Sequence, residues 1–426
     1  MALVYPFRAV RADGKWTAKV ASYPYDIVSS EEARKIAEVN PLSFLRVTKA
    51  EVDLPADVNP YDEIVYETAR VNFGEFRRKG FLIRDDVPCF YLYGMILNGH
   101  EQYGLGVCVD EAEFEAGRVK PHEHTLPEKE ADRTRHIEKL NAQTGPILMA
   151  YRKKESIDEL VRVVRAGPPE YEFLSDNGVV HALWVIRYHE MIRAIGAEFR
   201  AVDSLYIADG HHRAAAGVAV ARRRNGGKNR DCRSILAVLF PHDQLRIRDY
   251  NRVVKDLGGL SNEAYLDMVG KTFDLVTDFG EKSPMIKGEF GMYLGGRWYG
   301  LKLKRDHAWT GDTVRDLDVS ILQDHLLGPI LGIRDPRGDA RILFVGGSRG
   351  VEELERMVDS GENAVAFSLF PPTMEQMMRV ADSGRVMPPK STWFEPKLRD
   401  GILIHVLNDG EEDERKFRNG GKQGRR

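Results

Sequence analysis

The sequence predicts an α+β fold with mixed sheets, and three observations carry that prediction. Apolar runs of strand length alternate with amphipathic stretches of helical period along most of the chain. Two of the runs, CFYLYGMIL and YGLGVCVD, are split by Asn98-Gly99-His100, the residue types of a tight β-hairpin. CRSILAVLFP is apolar on both faces and therefore belongs inside a sheet rather than at its edge.

In chain order, VYPFRAVR and WTAKVASYPYDIV are expected to be short extended segments. Ser29 or Ser30 followed by EEARKIAEVN is a capped helix start with acids in its first turn, and Asn40-Pro41 ends it. FLRVTK is a strand candidate. YDEIVYETARVNFGEFRRKG is a helix closing on Gly80. After the hairpin, a turn near Gly117 and a loop, VKPHEHT, precede a long polar helix that ends near Gly145. GPILMAYR is a buried strand, SIDELVRVVRAG an amphipathic helix stopped at Gly167-Pro168-Pro169, HALWVI a strand and HEMIRAIGAEFRAV a helix. SLYIADGHHR runs from strand into turn, and the alanine-rich stretch after it is helix. Further on, SNEAYLDMVGKTFDLV is helical and FGMYLGGRWYGLKLK is a hairpin turning at Gly295-Gly296. DTVRDLDVSILQDHLLGPILGI is a helix broken at Gly328-Pro329. RILFVGG and NAVAFSLFPP are strands around the helix VEELERMVDSG, and TMEQMMRVADSG is a helix capped by Thr373.

The bulk properties bound the function. A chain of 426 residues has room for two or three domains, and 42% apolar with 30% charged residues describes an ordinary water-soluble protein. A net charge of −3 gives no footprint for a general nucleic-acid binder. Cys89, Cys108 and Cys232 are scattered and odd in number, as expected for reduced, buried thiols of the cytosol. No apolar run is long enough for a membrane helix, and the N-terminus lacks the pattern of a secretory signal, so a cytoplasmic location is expected. The closing stretch NDGEEDERKFRNGGKQGRR is almost free of apolar residues and is expected to be a disordered tail.

One stretch concentrates the chemistry. LYIADGHHRAAAGVA places Asp209, Gly210, His211, His212 and Arg213 at a strand-to-helix turn, where backbone N–H groups converge on an anion. Gly210 lets the backbone approach a ligand, Arg213 can fork onto phosphate oxygens, and the histidines can donate to phosphate or move a proton. Asp209 can hold Mg²⁺ or orient a hydroxyl. A second patch, Lys120-Pro121-His122-Glu123-His124-Thr125 with Lys129, Asp132 and Arg133, lacks the spacing of a zinc site and reads by itself as a solvated loop and helix. A third, 387–397, carries Lys390-Ser391-Thr392, which resembles the end of a phosphate-binding loop without its upstream glycines. That Pro-rich segment and the SYPYDIVS loop are each as well read as site-lining as not.

DGHHR after a strand, with KPHE upstream, resembles the ParB/sulfiredoxin-like superfamily, and within it the free serine kinases. The chain also resembles a widespread prokaryotic family through YPFRAVR, SYPYDIVS, NPLSFLRV, KPHEHT with KEADR, YIADGHHR, YNRVV and VMPPKSTWFEPKL, a likeness covering nearly all of residues 1–405. The resemblance implies a ParB/sulfiredoxin-like core at 109–250 with an insertion. It would be flanked by α/β domains at 1–108 and 251–405, with the tail at 406–426. It implies Glu123 as the base activating the acceptor hydroxyl, Asp209 and His211 as catalytic, and Asp209 as the Mg²⁺ ligand. Gly210, His212 and Arg213 would cradle the phosphate. Lys390, Ser391 and Thr392 are expected toward the cofactor from the reading of their own Pro-rich loop, apart from the resemblance. The cofactors implied are Mg²⁺ and a nucleotide donor, ATP or ADP. The partners implied are that nucleotide and a small hydroxyl compound, L-serine foremost, with a homodimer as an allowed assembly and neither membrane nor nucleic acid. The sequence departs from the kinase pattern in that 86 residues separate Glu123 from Asp209, so elements are inserted between them. DGHHR has no counterpart of the sulfiredoxin cysteine, and no helix-turn-helix follows it as in the partition proteins. The alternative expectation is a CTP-type ParB-like regulator or DNA-associated protein with no small-molecule acceptor.

Overall fold

A computed structural model describes residues 2–224, 230–304 and 309–407. They form two compact units, and the chain passes between them more than once. The first contains residues 1–121, 125–244 and 396 onward; the second contains His122–His124 and Leu245–Glu395. The architecture is α+β, as the sequence predicts, with a mixed sheet in the first unit and an antiparallel one in the second.

The first unit is built on a nine-stranded sheet. Its main path runs Val119–Lys120, Leu205–Asp209, Ile147–Tyr151, Ser234–Pro241, His100–Asp110, Phe90–Leu97, Val180–Ile186 and Tyr171–Leu174. Val4–Tyr5 pairs off this path with His100–Asp110. Ser234–Pro241 is buried along its whole length, with a parallel neighbour on one side and an antiparallel one on the other. That is why it carries no polar alternation. The expected hairpin turns at Asn98 (φ 50°) and Gly99 (φ 76°), the left-handed pair that a two-residue turn demands. Helices Glu155–Arg165, His189–Phe199 and His211–Arg223 bring Ile157, Ile195, Phe199, Ala214 and Val218 into one core with the sheet residues Leu105, Met149, Leu205 and Ile235.

A second core of this unit gathers Phe44, Val47, Val65, Phe73, Phe76, Leu140 and Ile404. Here two expectations are corrected. FLRVTK is not a strand: Leu45–Thr48 is a helical turn. Its apolar residues pack against the helix Glu63–Arg78, and that burial outweighs the strand propensity of valine and phenylalanine. WTAKV is likewise helical over Thr17–Val20 rather than extended. The polar helix after VKPHEHT spans Pro127–Leu140 and stops at Asn141, whose left-handed φ of 54° closes it before Gly145.

The second unit holds a six-stranded antiparallel sheet in the order Phe273–Thr277, Arg297–Leu303, Glu289–Leu294, Val365–Leu369, Tyr250–Val254, Ile342–Gly346. The stretch SNEAYLDMVGKTFDLV is helical only over Asn262–Thr272, and its last four residues belong to the edge strand Phe273–Thr277. The broken helix near Gly328 is a short helix, Asp318–Leu322, continued by a π-turn over Gln323–Leu327. The tail expected over 406–426 begins later than that, because Val406 pairs with Ala142 and Leu407 is buried in the core; 408–426 lie outside the described residues. No helix among the described residues is long and apolar enough to cross a membrane.

Candidate functional site

The turn is delivered by the strand Leu205–Asp209. It is paired on one edge with Ile147–Tyr151, antiparallel, and on the other with Val119–Lys120, parallel. Leu205 to Ala208 are buried. The ladder to Ile147–Tyr151 slips between Ile207 and Asp209, leaving Ala208 as an extra residue. Such a bulge re-aims the next side chain. The Asp209 side chain, 25% exposed, thus leaves the packed row.

Gly210 follows at φ 96° and ψ 35°, a left-handed conformation. Glycine is required here twice over: a Cβ would be strained at that φ and would stand 2.9 Å from Arg213 Nε. Gly210 then stands at the N-cap of the 13-residue helix His211–Arg223 and, having no side chain, supplies no capping bond itself. The positive end of the helix dipole starts one residue after Asp209.

Asp209 is held between two cations. Lys397 Nζ donates to Oδ1 at 3.1 Å and Arg213 Nη2 donates to Oδ2 at 3.0 Å. Arg213 is itself fixed by Nη1 donating to the Pro146 carbonyl at 2.5 Å. Burial would raise the Asp209 carboxyl, but Lys397 and Arg213 outweigh it and hold the group well below the usual carboxylate range. It is ionised throughout the physiological range. His211 is buried. His212 accepts the Leu126 N–H on Nε2 at 3.1 Å, so its neutral form carries the proton on Nδ1.

The segment carrying Glu123 is tied to this turn at both ends. Val119–Lys120 runs beside Leu205 and Tyr206, and Leu126 bonds His212. Glu123 is half-buried; with His122 and His124 it groups with the second unit, while Pro121 and Thr125 belong to the first. Lys390, Ser391 and Thr392 also lie in the second unit. Of the three, Ser391 bonds within its own loop and the other two reach other parts of the same unit. The Ser391 hydroxyl donates to the Pro388 carbonyl at 2.5 Å, and Thr392 Oγ1 pairs with His122 Nε2 at 2.9 Å. Lys390 sits at a left-handed φ of 53°, its carbonyl accepting from Arg252 Nη2 at 3.0 Å.

Lys397 is the residue of the 387–397 segment that reaches the turn, across 188 positions of sequence. Its only signal in the sequence is membership of that Pro-rich stretch. Asp400 follows it into the first unit, where its backbone forms an antiparallel bridge to Ser22.

Residues 4–320 match the family described as "Protein of unknown function (DUF1015)". The chain belongs to that family. No curated protein matches it. Among solved structures, this family member is similar to one described as "Free serine kinase in complex with AMP". That match has 15% identity and a TM-score of 0.37, covering 71% of this chain and 93% of that one. It is also similar to a conserved hypothetical protein from Pyrococcus furiosus, at 14% identity and a TM-score of 0.35, covering 71% and 97%. A third similar structure is "SbnI with C-terminal truncation from Staphylococcus aureus", at 11% identity and a TM-score of 0.39, covering 74% and 93%.

Proposed function

We propose that the protein is a small-molecule kinase that moves a phosphoryl group from ATP or ADP to a free hydroxyl compound, L-serine foremost. The observation that carries this reading is the turn itself. A left-handed glycine joins a bulged strand to a helix N-terminus, with an ionised aspartate fixed between Lys397 and Arg213. Fixed cations and a helix N-terminus suit the charge that spreads over a transferring phosphoryl group. The DGHHR and KPHE motifs, which resemble those of the free serine kinases, give the same reading from the sequence.

In this reading the acceptor hydroxyl oxygen attacks the terminal phosphorus of the nucleotide and Glu123 takes the hydroxyl proton. The bond from phosphorus to the bridging oxygen breaks, and ATP leaves as ADP or ADP as AMP. Arg213, His211, His212 and the Gly210 backbone hold the phosphate. Lys390, Ser391 and Thr392 are proposed to contact the nucleotide from their loop. No group of three or more His, Cys, Asp or Glu side chains that could hold a metal occurs among the described residues. Asp209 is the carboxylate proposed to hold Mg²⁺, through the lone pairs that Lys397 on Oδ1 and Arg213 on Oδ2 leave open, the rest of the shell being phosphate oxygen and water. When bound, Mg²⁺ supplies charge neutralisation at the phosphates.

The test is nucleotide turnover by the pure protein with and without L-serine and Mg²⁺, with O-phosphoserine detected by mass. Glu123→Ala and Asp209→Ala are each expected to lose at least about 10²-fold, the lower end of what a positioned base contributes. Unchanged turnover in both variants would sink the assignment. Consumption of CTP without any acceptor would instead support the regulator.

A further inference from the structure

Three stretches the sequence singled out for different reasons converge inside the first unit. Tyr25 of SYPYD, Arg133 of KEADR and Arg213 of DGHHR line one recess, together with His136 and Asp400. Its room is small, about 20 Å³, so what enters it is a ligand's headgroup rather than the whole ligand. Gly145 forms part of the wall; a Cβ there would stand 2.5 Å from Asp400 Oδ1, so only glycine leaves that oxygen its place.

The lining is built but not self-satisfied. Arg213 Nε and Asp400 Oδ1 are buried without a hydrogen-bond partner, on side chains that are 9% and 2% exposed. Burying such groups unpaired costs about 1–3 kcal/mol each, so they mark a place where a ligand atom belongs. We propose that this recess binds the carboxylate of a small hydroxy-acid or amino-acid ligand. If the kinase reading holds, that ligand is the acceptor, and the recess selects acceptors that carry a carboxylate.

The donor count decides the chemistry. Arg213 Nε–H, the Arg133 guanidinium and the Tyr25 hydroxyl are donors. Arg133 lies over the Tyr25 ring at 4.0 Å and is braced by Asp132 at 2.8 Å. His136 donates from Nε2 to the Val47 carbonyl at 2.9 Å and stays neutral, because burial and then Arg133 push it down to about 4. Asp400 faces Arg213, Arg133, Asp26, Asp209, Tyr25 and His136. Burial lifts its carboxyl to about 7 against the pull of the two guanidiniums, with Asp26 and Asp209 adding to the rise. Below that pH it is a fourth donor. Both guanidiniums already have an acidic partner, Asp209 and Asp132, so the recess suits a monoanion rather than a phosphate dianion.

The experiment is calorimetric binding to the full-length protein without nucleotide, which separates it from the turnover test. The probes are D-glycerate against glycerol and L-serine against ethanolamine. The two carboxylates are expected to bind and their carboxylate-free counterparts to bind at least tenfold more weakly. D-Glycerate is expected to bind about tenfold more weakly at pH 8 than at pH 6, as Asp400 passes from mostly protonated to mostly ionised. Asp400→Asn, which keeps shape and loses the titration, is expected to flatten that profile, and Arg133→Gln to weaken D-glycerate binding. The proposal is overturned if glycerol binds as well as D-glycerate, if neither carboxylate binds, if D-glycerate binds Arg133→Gln as tightly as wild type, or if the pH profile survives in Asp400→Asn. Carboxylate binding with no phosphoryl transfer would uphold the recess and fail the kinase reading.

Discussion

At the scale of single residues, Asp209 and Asp400 show how the same side chain takes opposite states a short distance along one network. Both are desolvated. Asp209 is compensated by direct bonds from Lys397 and Arg213 and stays ionised. Asp400 has no such bond to Oδ1, and burial carries its carboxyl to about 7. Removing one cation from the Asp209 pair leaves a mostly buried charge under-compensated. Lys397→Met is therefore expected to destabilise the protein by about 3 kcal/mol, measured by denaturant unfolding. If the loss stays below about 1 kcal/mol, the ion pair is no anchor of the turn. Asp400 gives a pH dependence with a definite sign. Its folded carboxyl titrates near 7 and its unfolded one near 4. Its contribution to stability is thus fully present below about pH 4 and is lost as pH rises towards 7, at up to about 1.4 kcal/mol per pH unit. The difference in unfolding free energy between wild type and Asp400→Asn should shrink across pH 4.5 to 7 with that slope. A difference that does not change with pH would show that Asp400 is ionised in the folded state.

At the scale of elements, the parts read correctly are those whose determinants are local. Thr373 caps Met374–Asp382 with a full capping box, its hydroxyl accepting from the Gln376 N–H while Gln376 returns to the Thr373 N–H. The helix buries Met377, Met378, Val380 and Ala381, so its position depends on packing as well as on the cap. Thr373→Ala is expected to cost about 1 kcal/mol, read as a shift of the unfolding midpoint. No measurable shift would mean that packing alone sets that helix start. The Asn98-Gly99 hairpin and the turn at Gly210 were legible for the same reason, since positive φ is written in a few neighbouring residues. FLRVTK was misread because its aromatic and β-branched residues answer to a partner far along the chain. Phe44 and Val47 are buried against Phe73 and Phe76 of another helix, a fact that no local window contains.

At the scale of the whole molecule, the chain leaves the first unit after Gln244 and returns to it at Pro396. The returning segment is part of the core. Leu398, Ile402, Leu403, Ile404 and Leu407 are all buried, and His405–Val406 pairs with Ala142–Gln143. Each buried aliphatic side chain is worth about 1.5–3 kcal/mol, so the five together rival the roughly 5–15 kcal/mol that holds a domain folded. Truncation after Glu395 is expected to abolish the cooperative unfolding of the first unit, seen by calorimetry and by proteolysis of its core. A truncated chain that keeps the first unit's transition would refute this account.

The sequence by itself determined the α+β class, the hairpins, most of the caps and the DGHHR turn with its strand and helix. These rest on contacts within some ten residues, where periodicity and backbone preference are visible directly. Only the tertiary structure decided that Lys397 closes on Asp209 and that Tyr25, Arg133, Arg213 and Asp400 share one recess. Those groups are separated by tens to hundreds of positions, and it is sheet pairing and core burial, not local preference, that bring them within reach of one another.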